Sequence, residues 1–269
     1  MASASPASAV RRLRLLCLHG HGDSSQHLCS DIEEKFFRSA FGTPGREDAS
    51  TLDVQCKCLQ APFSEPSRPD RRRWWTYDED GNGDRPADWA EMEVATTRIA
   101  EELYSGTEPY DGILGFSQGA EMVHTLAVLA HRGDPRIAPG SLGTAAPSAS
   151  ASSTGEPQTQ SQVGSRLPRF LVSIGGAVNP GHFESPGAGG PPRGCPGPST
   201  APHWRDLGLP CLFVGDFHND HWYPPERFHE TLGLYADATL VKHTQRHKIP
   251  TLDPESAAAV RSFFARFAG

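Results

Sequence analysis

Apolar residues recur along the chain in short, nearly continuous runs, and each run ends at a glycine, a proline or a polar turn. Runs of this length without alternating polar residues are typical of parallel strands that are buried on both faces of a sheet. They predict strands over residues 13–18, 51–59, 110–116, 169–177, 209–214 and 238–243.

Segments with helical periodicity separate these strands. Apolar residues at three- and four-residue spacing, together with capping residues, predict helices over 26–41, from Asp88 to about Gly106, after Ser117, from about Pro225 and after Asp253. The terminal helix carries its apolar residues on one face, namely Val260, Phe263, Phe264 and Phe267. This alternation predicts an α/β fold with one doubly wound, mostly parallel sheet in a single domain.

Some segments lack this alternation. Residues 138–165 are poor in large apolar side chains, which predicts a disordered low-complexity insertion. Residues 178–202 are rich in glycine and proline and are expected to form a mobile loop near the site. The polar stretch 64–84 is also predicted to be a loop. We therefore expect one domain over 13–267, preceded by a flexible tail at 1–12.

Composition narrows the possible partners. The 269 residues include 37% hydrophobic residues, enough for a full core, and carry a formal net charge of -7. This charge argues against nucleic acid or an anionic membrane as the main partner and leaves a small neutral or acylated substrate. No apolar run is long enough to span a bilayer, so we expect a soluble cytoplasmic protein. The acid-free start of the chain is also compatible with an organelle transit peptide.

Six cysteines are scattered through the sequence, several of them inside apolar strand-like runs. We interpret them as free thiols in a reducing compartment, where a buried thiol acts as a small hydrophobe. Cys56 and Cys58 form a C-x-C pair without a second pair at zinc-type spacing. The sequence therefore predicts no metal site here.

The pentapeptide Gly115-Phe116-Ser117-Gln118-Gly119 has the form G-x-S-x-G. Small residues on both sides of the serine permit a tight strand-to-helix turn that presents the hydroxyl above the sheet. A predicted strand precedes this pentapeptide and a predicted helix follows it. Ser117 is therefore the candidate nucleophile.

A serine nucleophile needs a base and an acid, which in this kind of site follow it in the order Ser, Asp, His. Asp220 follows a predicted strand and is the candidate acid, with Asp216 as the alternative. His247 precedes the terminal helix and is the candidate base. His243 is expected to support the loop through a hydrogen bond.

Two further histidines, His218 and His221, flank Asp220. This cluster leaves metal binding open as an alternative. The serine motif already accounts for an aspartate and a histidine in these loops, so we predict no metal.

An oxyanion hole requires two backbone N–H donors, one after the nucleophile and one from the loop after the first strand. Gln118 and His21 occupy these positions. Gly20 and Gly22 beside His21 permit close approach of the backbone to a substrate.

With these residues, the chain resembles the FSH family of serine hydrolases. The resemblance is carried by Leu16-Cys17-Leu18-His19-Gly20, by Arg73-Trp74-Trp75, by residues 109–120, by the turn at 220–224 and by His247 with Ile249-Pro250. Acyl-protein thioesterases share the G-F-S-Q-G elbow, whereas the Pro-Tyr-Asp-Gly lead-in and the Trp pair favour the FSH family. The family usually has two glycines before its catalytic histidine, and this chain has Gln245-Arg246 there.

The resemblance implies an α/β-hydrolase fold and hydrolysis of a carboxylic ester through an acyl-serine intermediate, with a medium or long apolar acyl chain in a groove. It implies neither organic cofactor nor metal. Trp74 and Trp75 are candidates to line that groove, or else belong to the core. The alternatives are an acyl thioesterase of the same family and a non-catalytic α/β-hydrolase-like binding module. The oligomeric state stays open.

Overall fold

The structure is a computed structural model. It describes residues 11–42, 52–66, 68–77, 89–105, 108–131, 134, 137, 168–178 and 207–268. The predicted insertion at 138–165, residues 179–202 of the Gly/Pro-rich segment and Cys195 lie outside these residues.

Six of the described strands form one parallel sheet in the order β2-β1-β5-β6-β7-β8. Their bounds are β1 (Arg11–Leu18), β2 (Leu52–Leu59), β5 (Gly112–Phe116), β6 (Phe170–Ile174), β7 (Cys211–Gly215) and β8 (Ala238–Lys242). All six strands lie where apolar runs predict them. β1 begins at Arg11, within the segment expected to be a tail.

Helices connect these strands. They are α1 (Ser25–Asp31), α2 (Arg38–Phe41), α3 (Trp89–Ser105), α4 (Gln118–His131), α5 (Pro225–Leu232) and α6 (Pro254–Ala265). A π-helical segment, Ile32–Phe37, joins α1 to α2, so the single helix expected over 26–41 changes its winding midway. Among the described helices, none is long and apolar enough to cross a membrane.

The sheet is covered on both faces, as expected for a doubly wound parallel sheet. Alternate residues of β1 show this, because Leu16 and Leu18 join the core cluster that includes α3 and α4. Leu15 and Cys17 join the other cluster, which includes α1, α2 and α6. The predicted apolar face of α6 is confirmed, since Val260, Phe263 and Phe264 belong to this second cluster, as does Phe267 just past the end of the helix.

A small hairpin occupies part of the stretch predicted to be a loop. Strands β3 (Phe63–Glu65) and β4 (Arg68–Arg73) pair antiparallel. Arg72 also exchanges two 2.9 Å backbone hydrogen bonds with the loop after β1, through Gly22 N and Asp23 O. The loop prediction is therefore wrong for residues 64–65 and 68–73. Its arginine-rich, mostly exposed strands lack the apolar alternation that marks a strand in sequence.

One pair of cysteines is bonded. Cys29 of α1 and Cys58 of β2 form a disulfide, with their Cα atoms 6.0 Å apart. The expectation of free thiols throughout is therefore wrong for this pair, because α1 packs on β2 and brings together residues 29 positions apart. Cys17, Cys56 and Cys211 are free thiols. Burial raises the pKa of Cys17 and of Cys211.

Candidate active site

Ser117 occupies a sharp turn between β5 and α4. Its φ is 53°, in the left-handed region that residues with a Cβ rarely adopt. The turn is held from both sides, since the Ser117 N–H donates to Ile174 O at 3.0 Å and Ser117 O accepts from Ala120 N at 2.8 Å. The strained serine is thus fixed at the carboxyl edge of the sheet.

Glycines flanking the serine permit this turn because the chain is crowded there. A Cβ added to Gly115 would lie 2.3 Å from Gly119 O, and one added to Gly119 would lie 2.1 Å from Leu18 O. Both contacts are with backbone, which cannot move aside as a side-chain end does. Only glycine therefore fits on either side of the elbow.

The structure brings the candidate base and acid to the serine. His247 Nε2 lies 2.7 Å from Ser117 Oγ, and His247 Nδ1 lies 2.8 Å from Asp220 Oδ2. The side chain of Asp220 is fully buried, and that of His247 is 12% exposed. These distances suit a hydrogen-bonded relay from carboxylate to imidazole to hydroxyl.

The two candidate acids have different partners. Asp220 Oδ1 accepts from the backbone N–H of Trp222 at 2.9 Å, which leaves Oδ2 directed at the imidazole. Asp216 Oδ2 accepts instead from Arg246 N at 2.9 Å. Although burial raises the pKa of Asp216, hydrogen bonds from Arg246 and Asn219 outweigh it and hold that pKa below its usual value. Asp220 is therefore the aspartate that contacts the candidate base.

The competing histidines lie outside this relay. His243 Nδ1 accepts from Gln245 N at 3.1 Å, and burial lowers the pKa of His243. His218 and His221 lie beside Asp220. Within the part of the chain that the structure describes, no group of three or more His, Cys, Asp or Glu side chains could hold a metal ion.

Both predicted oxyanion residues lie next to Ser117. Gln118 is the first residue of α4, where backbone N–H groups have no acceptor within their own helix. His21 lines the cleft at Ser117. Its neighbour Gly20 approaches so closely that an added Cβ would lie 3.1 Å from Ser117 Cβ.

Trp74 and Trp75 do not enter the cleft. Both side chains are completely buried. The Trp74 indole donates to His19 O at 2.7 Å, and the Gln118 side chain joins Trp74 N and Trp75 O with two 2.9 Å hydrogen bonds. The two tryptophans therefore belong to the core and do not line the groove. Their hydrogen bonds anchor the two segments that carry His21 and Gln118.

A cleft of about 850 Å³ opens beside Ser117. Sequence reasoning missed several of the residues that line it, namely Tyr77, Phe116, Glu121, Trp222 and Tyr223. The Trp222 side chain is 68% exposed. Its position within the turn at 220–224, two residues after Asp220, was the one signal for it in the sequence.

Glu121 forms a polar wall of this cleft together with two tyrosines. It is buried, with 5% exposure, and accepts hydrogen bonds from the hydroxyls of Tyr77, at 3.3 Å, and of Tyr223. Burial and the nearby carboxylate raise the pKa of both tyrosines. The wall thus links the segment after the hairpin, helix α4 and the loop between β7 and α5 that carries Asp220, which we call the acid loop.

Comparisons of the sequence with known proteins find a matching family and related esterases. A model of the serine hydrolase (FSH1) family matches residues 8–259. Esterase OVCA2 of Homo sapiens is 25% identical, over 97% of this chain and 99% of its own length.

Solved structures are similar in fold. Esterase PE8 gives a TM-score of 0.54 at 17% identity, covering 98% of this chain and 96% of its own. Acyl-protein thioesterase 2 of Zea mays gives 0.52 at 14% identity, covering 98% and 97%. The α/β-hydrolase fold that the sequence predicts is confirmed.

Proposed function

The chain belongs to the serine hydrolase (FSH1) family, and on that basis we propose that it hydrolyses carboxylic esters of medium or long acyl chains through an acyl-serine intermediate at Ser117. As a serine hydrolase it is an enzyme, so the alternative of a non-catalytic binding module is set aside. Ester or thioester cleavage is the activity of its class.

One observation carries the proposed triad, namely the unbroken hydrogen-bonded chain from Asp220 through His247 to Ser117. His247 Nε2 accepts the Ser117 proton while Oγ attacks the ester carbonyl. Asp220 holds the imidazole in the tautomer that presents Nε2 and stabilises the imidazolium that forms. The buried, negatively charged carboxylate of Asp220 thus lies next to the imidazole on which positive charge develops.

The carbonyl oxygen becomes an oxyanion in the tetrahedral intermediate. We assign its stabilisation to the backbone N–H groups of Gln118 and His21. His247 then returns its proton to the leaving alkoxide, which departs as the alcohol. Water, deprotonated by His247, attacks the acyl-serine in the second half and releases the carboxylic acid with Ser117 regenerated.

The cleft supports an acyl chain as the bound group. Its volume lies within the range of roughly 300–1,000 Å³ that is usual for small-molecule sites. Aromatic side chains line it next to the serine, among them Phe116, Tyr77 and the exposed Trp222. Such surfaces bury an apolar chain favourably.

A substrate panel tests the proposal. p-Nitrophenyl esters and acyl thioesters of graded chain length are assayed with the native sequence and with Ser117→Ala. We expect kcat/KM to rise with chain length up to the capacity of the cleft, to be higher for esters than for matched thioesters, and to be abolished by Ser117→Ala.

The control is Ser64→Ala, which removes an exposed hydroxyl on the hairpin outside the cleft lining. It should keep full turnover, and all variants should melt at similar temperatures. Turnover that survives in folded Ser117→Ala would contradict the nucleophile assignment. Higher kcat/KM on thioesters at every length would shift the assignment to the thioesterase alternative.

A further inference from the structure

We infer that Asp216, an aspartate outside the triad, is a positioning residue that aims His247 at Ser117 by holding the backbone of Arg246. This inference rests on the proposed role of His247 as the base. It concerns a contact between two loops that are separated by 30 residues in sequence.

Asp216 is the first residue after β7 and is 1% exposed. Its carboxylate is held by backbone N–H groups from two loops. Oδ1 accepts from Asn219 N at 2.9 Å and from His218 N at 3.2 Å, within the acid loop. Oδ2 accepts from Arg246 N at 2.9 Å, in the base loop. A buried carboxylate with these donors stays ionised and forms strong charge-assisted hydrogen bonds.

Arg246 adopts an unfavourable backbone conformation. Its φ is 61°, in the left-handed region, where the Cβ of an L-residue is crowded. Its side chain is exposed, so packing of that side chain does not hold the conformation. The conformation is held by two hydrogen bonds of the Arg246 backbone. Its N–H donates to the Asp216 carboxylate, and its carbonyl accepts from Lys248 N at 2.9 Å.

This conformation decides where the base points. Arg246 directly precedes His247, so a change of its φ toward negative values would swing the imidazole away from Ser117 Oγ and Asp220 Oδ2. Asp216 also accepts the N–H of Asp220 through its own carbonyl, at 3.2 Å. One residue therefore contacts the backbone of the acid and of the residue before the base.

The first test is a rescue experiment. Asp216→Asn keeps the size of the side chain and removes its charge, and we expect kcat to fall about 30- to 100-fold while KM stays within a few-fold, because a misplaced catalytic group costs rate at constant binding. Arg246→Gly alone should be nearly neutral, since glycine adopts positive φ freely. Added to Asp216→Asn, it should restore about ten-fold or more in kcat.

Asn219→Ala is the matched control, because it removes the side-chain donor that reaches both carboxylate oxygens of Asp216 while leaving the charge of Asp216 and the Arg246 N–H donor in place. It should keep kcat near that of the native sequence. If Arg246→Gly leaves the kcat of Asp216→Asn unchanged, the inference is overturned. His247→Ala, measured in the same assay, separates a failure of this inference from a failure of the proposed function. If His247→Ala were active, His247 would not be the base and the proposed function would be overturned.

A second pair of variants tests the backbone requirement with Asp216 intact, and covers the case in which Asp216→Asn does not fold. Arg246→Gly and Arg246→Val both remove the guanidinium, yet only valine, being β-branched, disfavours positive φ. We expect Arg246→Val to lose at least ten-fold in kcat relative to Arg246→Gly, at similar KM. Equal kcat values would contradict the inference.

Discussion

The proposed active site has a nucleophile half, at Ser117, and an acid–base half, at Asp220 and His247, and the structure holds these two halves in different ways. The nucleophile half is fixed by crowded backbone, with Gly115 and Gly119 packed against neighbouring main chain and Ser117 bonded to Ile174. The acid–base half is fixed by two buried aspartates, Asp216 and Asp220, that accept backbone N–H groups. The first half depends on the shape of adjacent residues and the second on hydrogen bonds between distant loops.

The largest effect on stability is expected from breaking the nucleophile half at Gly119. Gly119→Ala places a methyl group about 2 Å from the Leu18 carbonyl, so the elbow must move or the helix must separate from β1. We expect a loss of roughly 3 kcal/mol or more in the free energy of unfolding and at least about 100-fold in kcat. Denaturant titration and ester turnover measure these two quantities.

Gly233→Ala serves as the control for that substitution. Gly233 ends α5 with φ of -64°, and the nearest atom to an added Cβ lies 3.3 Å away. A small change in stability and full turnover are expected. Equal losses of stability and turnover in the two variants would show that the crowded backbone at Gly119 is not what fixes the nucleophile half.

The largest effect on kcat is expected in the acid–base half, from the contrast between substitutions at His247 and at His243. His247→Ala removes the group that contacts Ser117 Oγ, and kcat should fall about 10³-fold or more. His243→Ala removes a loop acceptor and should retain at least about a tenth of kcat. Steady-state kinetics on one ester decides between them, and the reverse ranking would overturn the choice of base.

Tyr223 tests the connection between the halves, because it joins the acid loop to Glu121 of α4. Tyr223→Phe removes a hydrogen bond to a carboxylate and should cost about 1.5–3 kcal/mol of stability, with only a few-fold loss of kcat. Tyr104→Phe, which removes a bond to the neutral Ile137 carbonyl, should cost about 1 kcal/mol. If Tyr104→Phe lowered the free energy of unfolding as much as Tyr223→Phe, the hydrogen bond to Glu121 would contribute no more stability than one to a neutral carbonyl.

The smallest expected effect is on the pH dependence of stability. It concerns His124 in α4, the helix that follows Ser117. His124 of α4 is fully buried between Tyr235 and Ser173, and burial lowers its pKa from 6.5 to about 3. The native state keeps it neutral while the unfolded chain protonates it below pH 6.5, so stability is lost as pH falls from 6.5 toward 3.

The matching measurement compares His124→Gln with the native sequence between pH 6.5 and about 5. Stability of the variant should fall less steeply, by up to about 1.4 kcal/mol per pH unit. Parallel pH dependences would show that His124 contributes nothing to the acid sensitivity.

The nucleophile half could be predicted from the sequence because its determinants are adjacent residues. Gly115, Ser117 and Gly119 fall within one pentapeptide, between an apolar strand and an apolar helix. The same reasoning places the strands, since burial on both faces leaves a continuous apolar run. Asp220 and His247 could be predicted as candidate acid and base from their order along the chain and from the strands that precede them.

The rest depends on long-range contacts that leave little trace in the sequence. The disulfide between Cys29 and Cys58 and the hairpin bonds at Arg72 each join segments that only the fold brings together. Trp74 and Trp75 lie in a polar stretch, yet they are buried because the hairpin docks over the loop after β1. The same limit applies to Arg246, whose left-handed conformation is set by a distant carboxylate.

Covalent labelling with a fluorophosphonate tests the central claim most directly, because this reagent reacts with a serine only where a base activates it. Peptide mapping should locate one equivalent of label on Ser117 in folded protein. Labelling should be absent in Ser117→Ala and strongly slowed in His247→Ala. Label on another serine, or folded protein that stays unlabelled, would contradict the assignment of Ser117 as the nucleophile.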